Sequence, residues 1–316
     1  MSDTKRARAV RPSEPPLSAG QLTARRVARR RHRRRRRVAG LAALVVVLGG
    51  VFLVLRGAGS GGQQAVAARP APVAAPQRLP RAVRHHAASF QRPVDRVLRY
   101  TSYVRVAGTR RRDVALTFDD GPSPYTHSIL KILERTRTPA TFFVVGEWAR
   151  AYPRLVADEA RGGFEVGDHT ETHAYLTELS PAGQRDQIAD AAHAIRRAGA
   201  PPPVLFRPPY GSFNPETLSL LHAQRLLMVL WSVDTSDYTR PGPAKIIFTA
   251  LSGAAPGAII LMHDGGGDRS QTVAALPRII LRLRQRGFRL VTVSQLVADD
   301  PPPRGQPAPQ SLSGTP

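Results

Sequence analysis

The stretch Val114-Ala115-Leu116-Thr117-Phe118-Asp119-Asp120-Gly121-Pro122 decides the fold. Its apolar run, Val114 to Leu116, predicts a short buried strand. Two adjacent carboxylates at the C-terminal end of a strand, followed at once by Gly-Pro, suit a site rather than a core. Neighbouring side chains on a strand point to opposite faces. Asp119 and Asp120 therefore reach one site only if the chain leaves the strand there, and Gly121-Pro122 supplies that break. Two ionised groups held together are costly unless something positive lies between or beside them. A divalent metal and an arginine are the natural candidates. Standing alone, Asp-Asp-Gly-Pro reads as a surface turn.

It does not stand alone. Further along come His169-Thr170-Glu171-Thr172-His173, Arg207-Pro208-Pro209-Tyr210-Gly211, Asp234-Thr235-Ser236-Asp237-Tyr238 and Leu261-Met262-His263-Asp264, each after an apolar strand-like run. His169 and His173 are spaced i, i+4; on a helical turn they share one face about 6 Å apart, suited to one metal ion. This is not the zinc-protease helix, in which Glu directly follows the first His; that position is Thr170, expected to hydrogen-bond the loop backbone. Asp119 fits a general base for a water attacking a carbonyl beside a metal. His263 fits the acid that protonates a leaving amine.

With five motifs in this order, the sequence resembles the polysaccharide deacetylases (the NodB homology domain, carbohydrate esterase family 4) over roughly residues 110–298. The resemblance implies a metal-dependent N-deacetylase in which Asp120, His169 and His173 are the metal ligands. Zinc is the first expectation, with cobalt or another divalent ion as alternatives. It makes Asp119 the general base and Arg207 the group that holds it ionised and oriented. Tyr210 matches the residue whose backbone N–H joins the metal in stabilising an oxyanion, and Pro208 with Pro209 fixes its approach. His263 is the acid and Asp237 the carboxylate that tunes it; Asp234 supports the same loop. Leu261 and Tyr238 wall the pocket for the acetyl methyl. The one departure is Tyr238, where the family usually has Trp, which puts the fit of the acyl group in question and leaves the metal chemistry untouched.

Around these motifs strand and helix patterns alternate. Strands are expected at Val97–Val106, Asp113–Phe118, Ala140–Val145, Phe164–Val166, Val204–Phe206, Leu226–Trp231, Ala258–Leu261 and Arg289–Val291. Helices are expected at Ser128–Arg135, Ala149–Arg161, Pro181–Ala198, Pro215–Ala223, Pro243–Leu251 and Thr272–Arg286. Alternation of this kind predicts an α/β fold of parallel strands with helices outside, and sites just past strand C-termini are where such barrels place their chemistry. The resemblance implies a distorted, incomplete (β/α)7 barrel of the NodB type. Trp231, on a strand, is expected in the core.

The chain has 316 residues, no cysteine and a formal net charge of +23. Disulfides and thiolate ligands are excluded, so any zinc site uses His and carboxylate. Residues 1–37 hold 14 Lys and Arg against 2 acidic residues and are expected to be disordered. The run Arg33 to Arg37 suits either nucleic acid or the cytoplasmic side of a membrane segment. The next stretch decides for the membrane: Val38 to Leu55 carries no charge and as a helix spans about 27 Å, enough for a hydrocarbon core. A single N-terminal transmembrane helix, with the N-terminus cytoplasmic and the rest outside, is therefore expected; a cleaved signal peptide, ending near Ala65-Val66-Ala67, is the alternative. Residues 56–95 are an Ala- and Pro-rich linker with a reach of roughly 35 Å if flexible, residues 96–298 the deacetylase domain, and residues 299–316 a disordered tail. The expected partners are a cell-wall polysaccharide, peptidoglycan first, and the membrane, with no nucleic acid. Chitin oligomers, another exopolysaccharide or acetylxylan are alternative substrates, and a non-catalytic wall-binding module is the alternative function.

Overall fold

A computed structural model describes residues 81–305. The basic segment 1–37, the apolar stretch 38–55, linker residues 56–80 and tail residues 306–316 lie outside the described residues. Among the described residues no helix is long and apolar enough to cross a membrane.

The strand β2, Asp113–Gly121, organises the sheet. It pairs in parallel with β3 (Thr141–Val144) and β8 (Ile259–His263), and its first residues pair with β9 (Arg289–Val291). Beyond β3 the order runs through β4 (Glu165–Asp168), β5 (Leu205–Phe206) and β6 (Leu227–Val229) to β1 (Tyr103–Val104). Beyond β8 it ends at β7 (Val233–Asp234). All of these pairings are parallel. The helices are α1 (Arg81–Leu98), α2 (Thr126–Arg135), α3 (Gly146–Ala151), α4 (Pro153–Arg161), α5 (Pro181–Arg197), α6 (Pro215–Ala223), α7 (Pro243–Gly253), α8 (Ser270–Gln285) and α9 (Val293–Asp299). The result is a curled, partly closed parallel half-barrel, as the NodB resemblance implies.

The period-2 alternation of β2 separates core from chemistry. Val114, Leu116 and Phe118 share a hydrophobic cluster with Ile129 and Leu133 of α2 and Leu276 and Ile280 of α8. Ala115 faces the other way, into a second cluster with Phe143, Leu205, Leu227 and Val291. Thr117 and Asp119 continue that inner face towards the barrel mouth. An inner lining this apolar at its base holds polar side chains only where they find partners.

Three expectations need correction, and two elements were not expected. The strand expected at Val97–Val106 is two residues long, because the chain up to Leu98 is helix α1: Val94 and Val97, three apart, pack with Leu296 and Val297 of α9, so this helix crosses the expected linker boundary at residue 95. The helix expected at Ala149–Arg161 is two helices, broken at Tyr152 (φ −128°, ψ 54°); Pro153 bars the preceding residue from helical geometry and then begins the next helix. The tail does not begin at 299. Asp300 is buried, and its carboxylate accepts from the backbone N–H of Arg110 (2.6 Å) and Arg111 (3.2 Å) and pairs with the Arg110 guanidinium (2.7 Å). Finally, β7 and α9 carry no expectation at all: one is two residues long, and the other is announced only by Thr292, whose hydroxyl accepts from the N–H of Gln295 at 3.2 Å.

Candidate active site

The two carboxylates of β2 share one site by a different route from the expected one. The strand does not end before Gly121. It bulges: Asp119 pairs with Phe143 and Gly121 with Val144, so Asp120 has no partner on β3. Asp120 sits in the left-handed region (φ 70°). One extra residue in a bulge turns its side chain towards the face its neighbour already occupies. The strain of a non-glycine residue in this region is of the order of 1–3 kcal/mol and is a feature of sites rather than cores.

Asp119 is almost fully buried, and its Oδ1 accepts from Arg207 Nη1 at 2.7 Å. Arg207, which follows β5, is completely buried yet satisfied: Nη1 also donates to Thr117 Oγ1 (2.8 Å) and Nε to the Val229 carbonyl (3.1 Å). Its guanidinium carbon lies 4.1 Å from the Phe143 ring centroid and 5.7 Å from that of Trp231. Trp231 is half-buried and packs against the second hydrophobic cluster, as expected of a core residue, while also lying beside the guanidinium. Burial lowers the Arg207 pKa and the Asp119 charge opposes that.

His169 and His173 do not share a helical turn. They lie in the loop after β4, with Thr170 (φ 67°) and His173 (φ 56°) both left-handed. Asp168 Oδ1 accepts from the Thr170 N–H at 2.8 Å and shapes this loop. The Thr170 hydroxyl, expected to bond the backbone, is buried without a partner. The ring centroids of the two histidines are 5.0 Å apart. His169 Nδ1 faces the Arg207 carbonyl (2.6 Å) and His173 Nδ1 the Tyr210 hydroxyl (3.1 Å). Each contact leaves Nε2 to point at Asp120 Oδ1, at 3.4 Å for His169 and 3.0 Å for His173. Bonding of Nδ1–H to a carbonyl sets the tautomer with a free lone pair on Nε2. Asp120 Oδ1 is itself buried with no hydrogen-bond donor. One oxygen and two ring nitrogens, all within 4.8 Å of one another, present lone pairs to a common point. The donor set fits a divalent cation. Burial pushes the Asp120 pKa up, but the charge that His173 carries when protonated outweighs it, holding Asp120 well below the usual range.

Opposite stands the pair His263 and Asp237. His263 ends β8, and its Nδ1 lies 2.7 Å from Asp237 Oδ1. Asp237 Oδ2 accepts from the His263 N–H (2.9 Å) and the Thr272 hydroxyl (2.6 Å). Burial alone would lower the His263 pKa; the Asp237 carboxylate overrides it, and the value rises to about 9. The Asp237 carboxylate therefore favours the imidazolium form, with Nδ1 engaged and Nε2 turned away from it. Asp234 caps its own loop, accepting from the Ser236 N–H at 2.7 Å. The Tyr238 ring meets the His263 ring edge-to-face at 5.3 Å. Leu261 lies on the same inner face of β8 as His263, and buried Pro208 leads into the short turn Pro209–Gly211 that holds Tyr210 left-handed (φ 60°).

Three supports have weak or no sequence signal. Thr272 is one threonine among many. Asp264 sits in a quoted motif without an evident task, yet its Oδ2 accepts from Thr126 Oγ1, and a Cβ on Gly121 would collide with its carboxylate. The run Gly265-Gly266-Gly267 lies against Asp120, and side chains at the first two positions would strike its backbone and carboxylate respectively.

The polysaccharide deacetylase family profile matches residues 107–229. A chitooligosaccharide deacetylase of Bradyrhizobium sp. (strain ANU 289) is 40% identical over 208 residues, covering 62% of this chain and 94% of that protein. A peptidoglycan-N-acetylglucosamine deacetylase of Bacillus cereus is 39% identical over 187 residues, covering 58% and 87%. The solved structure of the Bc1960 peptidoglycan N-acetylglucosamine deacetylase superposes with a TM-score of 0.61 at 32% identity, over 66% of this chain and 96% of that one. The chain therefore belongs to the polysaccharide deacetylases of carbohydrate esterase family 4, hydrolases acting on carbon–nitrogen bonds.

Proposed function

We propose that this chain is a membrane-anchored, divalent-metal-dependent N-deacetylase that hydrolyses the acetamide of N-acetylglucosamine-type residues in cell-wall peptidoglycan. The carrying observation is the convergence of Asp120, His169 and His173 on one point, with Asp119–Arg207 and His263–Asp237 beside it. Asp120, His169 and His173 would hold a divalent ion, zinc by its ligand types, which would supply Lewis acidity to the hydrolysis. Asp119 Oδ2, the oxygen that Arg207 does not hold, takes the proton of the attacking water. The Tyr210 backbone N–H, set by its left-handed turn, faces the oxygen on which negative charge grows. His263 Nε2 then donates its proton to the nitrogen as the C–N bond breaks, releasing acetate and a free amine. Leu261 and Tyr238 bound the space for the acetyl methyl. The uncharged stretch 38–55 behind Arg33–Arg37 supports the anchor, with the catalytic domain outside.

The likeness to a chitooligosaccharide deacetylase favours chitin oligomers as a second substrate reading. The test is acetate release by the full chain in detergent, stripped of metal and reloaded with zinc or cobalt, from peptidoglycan and from N-acetylglucosamine oligomers. Release that requires metal and falls roughly 10²–10⁴-fold in Asp119→Asn is expected. No release from either polymer by folded, metal-loaded protein would sink the proposal. Carbonate extraction of cell membranes tests the anchor: the chain is expected to stay with the lipid.

A further inference from the structure

Two residues past His173, Tyr175 opens the short turn Leu176–Glu178, pinned by fully buried Leu176. Its ring lies parallel to that of Tyr210, with centroids 3.8 Å apart and planes inclined by 6°. Tyr210 in turn meets His173 edge-on at 4.6 Å and its hydroxyl lies 3.1 Å from His173 Nδ1. Yet both rings stay open to solvent, Tyr175 at 40% and Tyr210 at 44%. Exposed tyrosines scattered singly need no explanation. These two are not scattered. They form a fixed flat stack, continuous with the residues that converge on the metal point, and one of them, Tyr210, also lends its backbone to the reaction.

A flat, rigid, exposed aromatic face is a poor guest for water and a good one for a pyranose. In a sugar with equatorial substituents, the ring faces carry only axial C–H groups. These are weakly positive and meet the negative face of an aromatic ring. Tyrosine supplies such a face at low entropic cost, because it has only two side-chain torsions to fix. Since Tyr210 already covers one side of Tyr175, the other side is the one left for a ligand.

We propose that the Tyr175–Tyr210 stack is a subsite for the sugar next to the one being deacetylated. The neighbouring ring rests on Tyr175, so that the site takes a polymer or oligomer rather than a lone sugar. This rests on the N-deacetylase reading, deepening it by assigning a length requirement to a named side chain. Tyr175 touches the substrate's neighbouring ring and not the reacting atoms, so it determines specificity.

The experiment uses the full chain loaded with zinc and compares kcat/KM for an N-acetylglucosamine tetramer with that for the single sugar. In Tyr175→Ala the advantage of the tetramer is expected to fall roughly tenfold, while Tyr175→Phe and Tyr175→Trp keep most of it, because the ring and not the hydroxyl carries the contact. Tetramer binding to Asp119→Asn, with and without Tyr175→Ala, is measured by calorimetry alongside. That arm reads the subsite even if turnover fails, so loss of the reaction and loss of the subsite are told apart. Equal losses on tetramer and single sugar would mark Tyr175 as a structural support of His173 and overturn the proposal. So would a phenylalanine variant as impaired as the alanine one, or tetramer binding unaffected by Tyr175→Ala.

Discussion

Asp119 and Asp120 are adjacent in sequence and do opposite work, and the difference is written in what each touches. Asp119 is tied to a buried guanidinium, while Asp120 meets only ring nitrogens and is left without a donor. A buried arginine–carboxylate pair is a poor source of stability but a good way to fix one oxygen. The His263–Asp237 pair gives the pH dependence its sign. Ordinary histidine titrates near 6.5 and His263 near 9. The raised value stabilises the fold fully below the unfolded pKa, and this contribution is lost as pH rises through the native one. In the proposed mechanism the same titration removes the acid. The basic limb of kcat is therefore expected at pH 9 or below, since a bound cation repels the imidazolium proton and lowers the value. Asp237→Asn moves that limb down by about a unit or more, read from rate profiles of the two proteins; a limb that stays in place would separate Asp237 from the titration.

At the scale of elements, the loops that follow β2, β4 and β8 are shaped by backbone conformations that a sequence hides. The expected break at Gly121-Pro122 is a bulge at Asp120, and the expected helical turn of His169 and His173 is a left-handed loop. Residue types and spacing announced the site; the route by which they meet rests on torsion angles that no spacing encodes. Most helices were legible because their apolar period is long: Pro181–Arg197 and Pro215–Ala223 follow the expected bounds to within a residue. Elements of two to seven residues, such as Val233–Asp234 and Val293–Asp299, offer too little period to read. The glycine loop after β8 yields a direct test. Gly266 has φ 75°, and a Cβ there would run into the Asp120 carboxylate. Gly266→Ala is expected to weaken metal binding roughly tenfold to a hundredfold, measured by chelator competition, with the fold retained by circular dichroism.

For the whole molecule, the first described helix and the last described residues meet: α1 shares a cluster with Leu296 and Val297, and Asp300 closes on Arg110 and Arg111. The compositional reading of both ends as linker and tail missed this, because a Pro- and Arg-rich segment looks unstructured until a partner 200 residues away covers it, as the Tyr100 hydroxyl finds the Pro302 carbonyl. Asp300→Ala removes the hydrogen bonds from the Arg110 and Arg111 N–H groups and the pair with the Arg110 guanidinium, at a cost of about 1–3 kcal/mol. For a domain of this size that lowers Tm by roughly 2–4 °C per kcal/mol, which calorimetry reads directly, with KM expected to stay put. The central strand carries a further consequence. β2 receives one neighbour, β3, early, but its bonds to β8 and β9 span 143 and 176 residues. Contacts so distant form late, because the intervening chain must first be gathered. A ribosome that has released both aspartates, both histidines and Arg207 has released the proposed site residues with no frame around them. The proposed site is therefore expected to assemble only once the strands β8 and β9 have been made and closed on β2.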